Sequence, residues 1–175
     1  MKQLGFLMLV VCLAGTGMAC GDDDNDASPS SLPLVFSAVL SPANEVPAIA
    51  NDEGSGRGAV QATFTTTRDS GGAITAATVN FHVQLYDFPA GTRLQAAHIH
   101  NGGAGINGPV RVDTGFTPAI ARELTDGSTV IDLGGIAVDP VIMQGIIDNP
   151  AGWYFNVHSP VNPGGFARGQ LARVQ

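Results

Sequence analysis

The sequence predicts an all-β protein, a Greek-key β-sandwich with one short helix. Three observations predict it. Apolar and polar residues alternate over long runs: Val79, Phe81, Val83 and Leu85 interleave with Asn80, His82, Gln84 and Tyr86. That period of two marks a sheet with one buried face. Turn formers are plentiful, with 23 glycines and 11 prolines among 175 residues, as many short strands require. The apolar fraction is 44 % against 13 % charged, so the chain can bury a core and does not read as disordered.

The elements follow in order. Residues 34–40 form an apolar run bounded by Pro33 and Pro42, and residues 58–67 alternate Val60, Ala62 and Phe64 with Gln61, Thr63 and Thr65. The group Asp69-Ser70-Gly71-Gly72 is a turn, and the long strand 74–86 follows it. Further strands are expected at 94–100, 109–113 and 128–133, then at 153–158 and 168–174. Between them, Asp139 and Pro140 read as an N-cap and first helical residue. Val141, Ile142, Ile146 and Ile147 then recur at helical spacing as far as Asn149-Pro150. Seven or eight strands with one helix make two sheets about 10 Å apart; a closed barrel is the alternative.

The first 33 residues are of another kind. Residues 1–19 have a basic start at Lys2, an apolar run from Leu4 to Leu13 and small residues up to Ala19. This is the layout of a signal peptide, and the run is shorter than the roughly 20 apolar residues of a spanning helix. Cys20 follows at the position that resembles a bacterial lipoprotein signal, although Gly17 stands where such signals usually have Leu. The resemblance implies acylation of Cys20 and a membrane anchor in the cell envelope. Gly21, in place of Asp, fits sorting to the outer membrane or cell surface. Residues 20–33, rich in Asp and Ser, read as an acidic flexible tether, and residues 34–175 as the folded domain.

Charge and cysteine usage exclude several functions. The net charge is −7, and the basic residues other than Lys2 are scattered arginines; this argues against nucleic acid as a partner. Both cysteines, Cys12 and Cys20, precede the domain, so no disulfide framework holds it together. No nucleophile elbow is present, Ser159 merely follows His158 in sequence, and Glu45, Asp52, Glu53 and Glu123 are scattered. Catalysis is not expected.

Two stretches carry the candidate chemistry. In a strand, residues two apart share a face, so His98 and His100 point one way and Ile99 points into the core. By the same parity Phe155 and Val157 face inward, while Asn156 and His158 lie on the outer face. If the two strands are neighbours, three imidazoles meet on one surface. Three histidines plus water are a common zinc arrangement, and imidazole also suits copper. His82 is separate, a polar-face histidine with a solvent or hydrogen-bonding role. The loop 101–108, with Gly102, Gly103, Gly105 and Gly108, is not a dinucleotide fingerprint because Pro109 opens a strand after it. Its glycines are expected to permit positive φ in a tight connection. Arg168, flanked by Gly169, could bind an anion or make a structural ion pair with a carboxylate, and the structural role is the one expected.

Four ordered motifs resemble one family: Asn44-Glu45-Val46-Pro47, His98-Ile99-His100 with Asn107-Gly108-Pro109-Val110, Tyr154-Phe155-Asn156-Val157-His158, and Arg168-Gly169-Gln170-Leu171. They are similar to the CHRD domain, named for chordin. The resemblance implies an immunoglobulin-like or superoxide-dismutase-like sandwich in which Glu45, Asn107, Gly108, Pro109, Asn156, Arg168 and Gly169 belong to the structural motif. Animal chordin antagonises an extracellular growth factor that a bacterium lacks, so that partner does not transfer. The expected function is a lipid-anchored, non-catalytic binding or structural module with an extracytoplasmic ligand. The alternative is a metal-binding protein using His98, His100 and His158. A superoxide-dismutase-type enzyme needs more histidines than the four present.

Overall fold

A computed structural model of the chain describes residues 32–175. The expected signal peptide, Cys20 and most of the tether lie outside the described residues. Within them the fold is the predicted β-sandwich. Strands β1 (Leu34–Leu40), β2 (Arg57–Arg68) and β3 (Ile74–Tyr86) form consecutive antiparallel pairs. Strand β8 (Thr129–Val138) extends them on one side and β11 (Ala172–Arg173) on the other, giving a sheet of order β11-β1-β2-β3-β8. The second sheet is built from β5 (Ala96–Asn101), β6 (Val110–Asp113), β9 (Trp153–His158) and β10 (Ala167–Gln170), in the order β10-β9-β5-β6. A small ribbon pairs β4 (Thr92–Leu94) with β7 (Arg122–Leu124).

The core lies between the two sheets. Phe36, Leu40, Phe64 and Phe81 face Ile99, Phe155, Val157 and Phe166, all buried. Phe81 and Phe155 meet across the interface with ring centroids 5.2 Å apart. Burying such side chains contributes roughly 1.5–3 kcal/mol each, which holds together a domain without disulfides.

The described residues contain eleven strands where seven or eight were expected. The expected strand 94–100 divides at Gln95 into β4 and β5, and 168–174 divides at Leu171 into β10 and β11. The short β7 has too few residues for a visible alternation. Strand β8 runs five residues beyond its expected end at Leu133, through Gly134 and Gly135, which hid it. There the pairing with β3 slips between Val79 and Phe81. Gly135, at φ 70°, donates its N–H to Asn80 Oδ1 at 2.8 Å. This is a bulge that only glycine enters without strain.

Helix α1 (Pro140–Asp148) is capped as expected, with Asp139 Oδ1 accepting from the N–H groups of Val141 and Ile142. Its buried side differs from the expected one. Met143 and Ile146 face the core, Ile142 and Ile147 are half-buried, and Val141 is 79 % exposed. Val141 is two residues from Met143, which at helical spacing puts it on the opposite, solvent-facing side. Among the described residues no helix is long and apolar enough to cross a membrane.

Candidate metal centre

Strand pairing brings the three predicted histidines together. Strands β5 and β9 are adjacent, with Ala96 opposite His158, His98 opposite Asn156 and His100 opposite Tyr154. Residues opposite one another share a face. The face away from the core therefore carries His98, His100, Tyr154, Asn156 and His158, with Arg168 opposite Asn156 on β10. Three loops cover this face: 41–56, 102–109 and 159–165.

One ring nitrogen from each of His98, His100 and His158 lies within 4.8 Å of the other two. His98 Nδ1 and His158 Nε2 are 3.1 Å apart. Tetrahedral zinc, with Zn–N bonds of 2.0–2.1 Å, sets its ligand atoms about 3.3–3.4 Å apart. One pair, at 3.1 Å, is close to that spacing, and no pair is more than 4.8 Å apart.

The partners of the second nitrogens show which ring atoms are left free. His100 Nδ1 donates to the Gly108 carbonyl at 2.9 Å, and its Nε2 is buried without a partner. His158 Nδ1 donates to the Pro163 carbonyl at 3.0 Å, leaving its Nε2 lone pair toward His98. His98 Nε2 lies 3.7 Å from Asp113 Oδ1. His100 and His158 thus each offer one nitrogen inward while a carbonyl holds the other, the outer shell that orients metal-ligating histidines. His98 Nδ1 donates to the His158 Nε2 lone pair and would ligate once its proton moves to Nε2, on the side of Asp113.

Burial pushes all three imidazoles below the usual histidine range. For His158, desolvation outweighs the bond to Pro163, and His98 and His100 lower it further, to about 4. His100 is lowered chiefly by burial, against the Gly108 hydrogen bond. His98 is lowered by burial, against the opposing charge of Asp113. The neutral, metal-ligating form is therefore the form present near pH 7.

Around the histidines lies a second layer. The His100 ring stacks on Tyr154 at 4.8 Å with 7° between planes, and the Arg168 guanidinium lies 4.7 Å from the Tyr154 ring centroid. Arg168, 2 % exposed, donates from Nε to the Asn44 carbonyl at 2.7 Å and from Nη1 to Asn107 Oδ1 at 2.9 Å. Its Nε is 3.5 Å from Glu45 Oε2, the structural ion pair the sequence led us to expect. Desolvation raises Glu45 to about 7 even so, because this long contact compensates burial only in part. Asn156 is buried, donates weakly to the Gly164 carbonyl and leaves Oδ1 unpartnered.

The glycines meet the expectation only in part. Of the four in loop 101–108, only Gly105 has positive φ. At Gly108 a Cβ would lie 1.7 Å from the Asn101 carbonyl oxygen, so close approach, not turn conformation, requires glycine. That approach aims the Gly108 carbonyl at His100. Pro109 accepts from the Asn101 N–H at 3.1 Å. At Gly169 a Cβ would lie 2.1 Å from the Val39 carbonyl, where β10 crosses β1.

His82 is on the other sheet, half-exposed, with Nδ1 2.7 Å from Asp132 Oδ1; it takes no part. Sequence reading missed Tyr154, Asp113 and a group formed by the buried Glu53 and Ser159 with the half-buried Asn162. The parity that selected Asn156 and His158 would have found Tyr154. The others join through loops and leave no periodic signal.

No curated protein and no solved structure gives a significant match to the chain. The CHRD domain family model matches residues 36–171, from β1 through the end of the second sheet, and includes all four motifs and every histidine of the cluster. With the sandwich and the motif residues in place, the chain belongs to the CHRD domain family.

Proposed function

We propose that this chain is a lipid-anchored cell-envelope protein whose CHRD domain is a metal-binding module, holding one zinc or copper ion on His98, His100 and His158. Membership of the family supports a binding or structural module in general. The observation that carries the finer reading is the convergence of three neutral imidazoles, two of them held by the Gly108 and Pro163 carbonyls and the third with Asp113 Oδ1 3.7 Å from its outer nitrogen. The donor set is all nitrogen, which suits both metals, and three protein ligands leave a position for water. A structural module with an extracytoplasmic ligand and no ion is the second reading, favoured by the general character of the family match.

The test is metal analysis of the full-length chain after incubation with zinc or copper and removal of excess. One equivalent of one of these metals is expected. Structural zinc sites with four ligands bind with roughly 10–16 kcal/mol, about 3 kcal/mol per ligand, so each single His→Ala change should weaken binding on the order of 100-fold. Metal-free wild type, or stoichiometric metal in the triple variant, overturns the assignment.

The anchor has its own test. Cells given labelled fatty acid should label the wild-type chain and not Cys20→Ala. An unlabelled wild-type chain would show that export ends in a free product.

A further inference from the structure

The turn that follows His158 is locked by a residue more than a hundred positions away. Glu53 sits in a short 3-10 turn, Asp52–Ser55, that Asn51 caps through its side chain. Glu53 is 5 % exposed, and Ser159 is fully buried. Ser159 Oγ donates to Glu53 Oε2 at 2.7 Å, and Asn162 Nδ2 donates to the same oxygen. The Ser159 hydroxyl in turn accepts the Asn162 N–H at 2.9 Å. Backbone bonds from Ser159 and Gly165 to the Asn162 carbonyl close the turn. Asn51 and Asn162 exchange side-chain hydrogen bonds above it.

We infer that Glu53 is a positioning residue for the histidine centre, acting through this turn on His158. The turn presents the Pro163 carbonyl to His158 Nδ1. That bond places the proton on Nδ1 and leaves Nε2 free to ligate. A buried carboxylate holding two donors is among the stronger ties available to a loop. It is also costly to bury for shape alone, since backbone bonds already close the turn. The parallel on the other side of the site is close. Arg168 fixes Asn107, and so the loop whose Gly108 carbonyl holds His100. Each of the two buried histidines is therefore oriented by one buried charged residue, through one carbonyl.

The inference rests on the metal-binding reading, but its test does not stand or fall with it. In the full-length chain, Glu53→Ala and Asn162→Ala are compared with Val83→Ala, a core change in the opposite sheet chosen to lose similar stability. Two quantities are read: the imidazole nitrogen shifts of His158 in metal-free protein, and the affinity for zinc. Loss of outer-shell partners of metal-bound histidines typically weakens binding 10–100-fold. That loss is expected in both loop variants, together with a mixture of His158 tautomers, while Val83→Ala keeps the single Nδ1–H tautomer and full affinity. A folded Asn162→Ala or Glu53→Ala with an unchanged His158 tautomer overturns the inference. So does an equal effect of Val83→Ala. If wild type binds no metal, the metal reading fails, and the tautomer measurement alone still decides the role of Glu53.

Discussion

Arg168→Ala should destabilise the domain by about 3–5 kcal/mol, the usual cost of breaking a buried ion pair by removing one partner. For a domain of this size that is a fall of about 10–20 °C in Tm. Three losses combine. Glu45, also buried, loses its counter-charge at 3.5 Å. The Asn44 carbonyl and Asn107 Oδ1 lose their donors. Tyr154 loses the cation against its ring. Glu45 already rises to about 7 with Arg168 present, so in the variant it takes up a proton, which places the effect nearer the lower end. Adding Glu45→Gln should then restore stability above pH 7, where Glu45 would otherwise have to ionise, and little below it. Urea denaturation of the single and double variants is the measurement. A loss under about 1 kcal/mol would mean that the pair contributes no more than an exposed one.

The second large effect is a pH profile with opposing parts, expected for the metal-free protein. His158 has its folded pKa lowered to about 4 from an ordinary 6.5. Between those values the unfolded chain holds the proton and the folded one does not, so stability falls as pH falls from 6.5 to 4. The full shift corresponds to roughly 3 kcal/mol. His98 and His100, also lowered, act in the same direction. Glu45 does the opposite. Its folded pKa is raised to about 7 from 4.5, so its contribution is greatest below 4.5 and is lost as pH rises to 7. Wild type should therefore lose only modest stability between pH 6.5 and 4.5. Glu45→Gln removes the compensation and should lose about 2 kcal/mol more over that interval. Parallel profiles for the two proteins would show that Glu45 is not protonated in the folded state.

The sandwich was legible because its long strands keep strict parity. Val79 through Leu85 predicted β3, and Ile99 between two histidines predicted which side of β5 faces the core; both fell as expected. The histidine cluster was legible for the same reason, given the pairing of β5 with β9. What escaped is whatever depends on contacts between loops. Glu53 and Glu45 read as scattered acids, since nothing local distinguishes a surface carboxylate from one that a distant loop has covered. The Gly134-Gly135 bulge broke the alternation that would have extended β8. Met143 was passed over for Val141 because helical spacing does not say which side of a helix rests on the sheet.

In β5 and β9 the odd-numbered residues Ile99, Phe155 and Val157 fill the interior, and the even-numbered ones carry the imidazoles. Ligand chemistry and the cohesion of the fold thus draw on alternate letters of the same two words. A lineage could rewrite every second letter, trading histidine for another donor, without altering the volume of the interior. The three overlying loops are less free, because Glu45, Glu53, Asn107 and Gly108 in them tie down Arg168 and the two buried histidines. Such a scaffold invites changes of specificity at small risk to folding, which one strand pair serving both purposes on a single face would not allow.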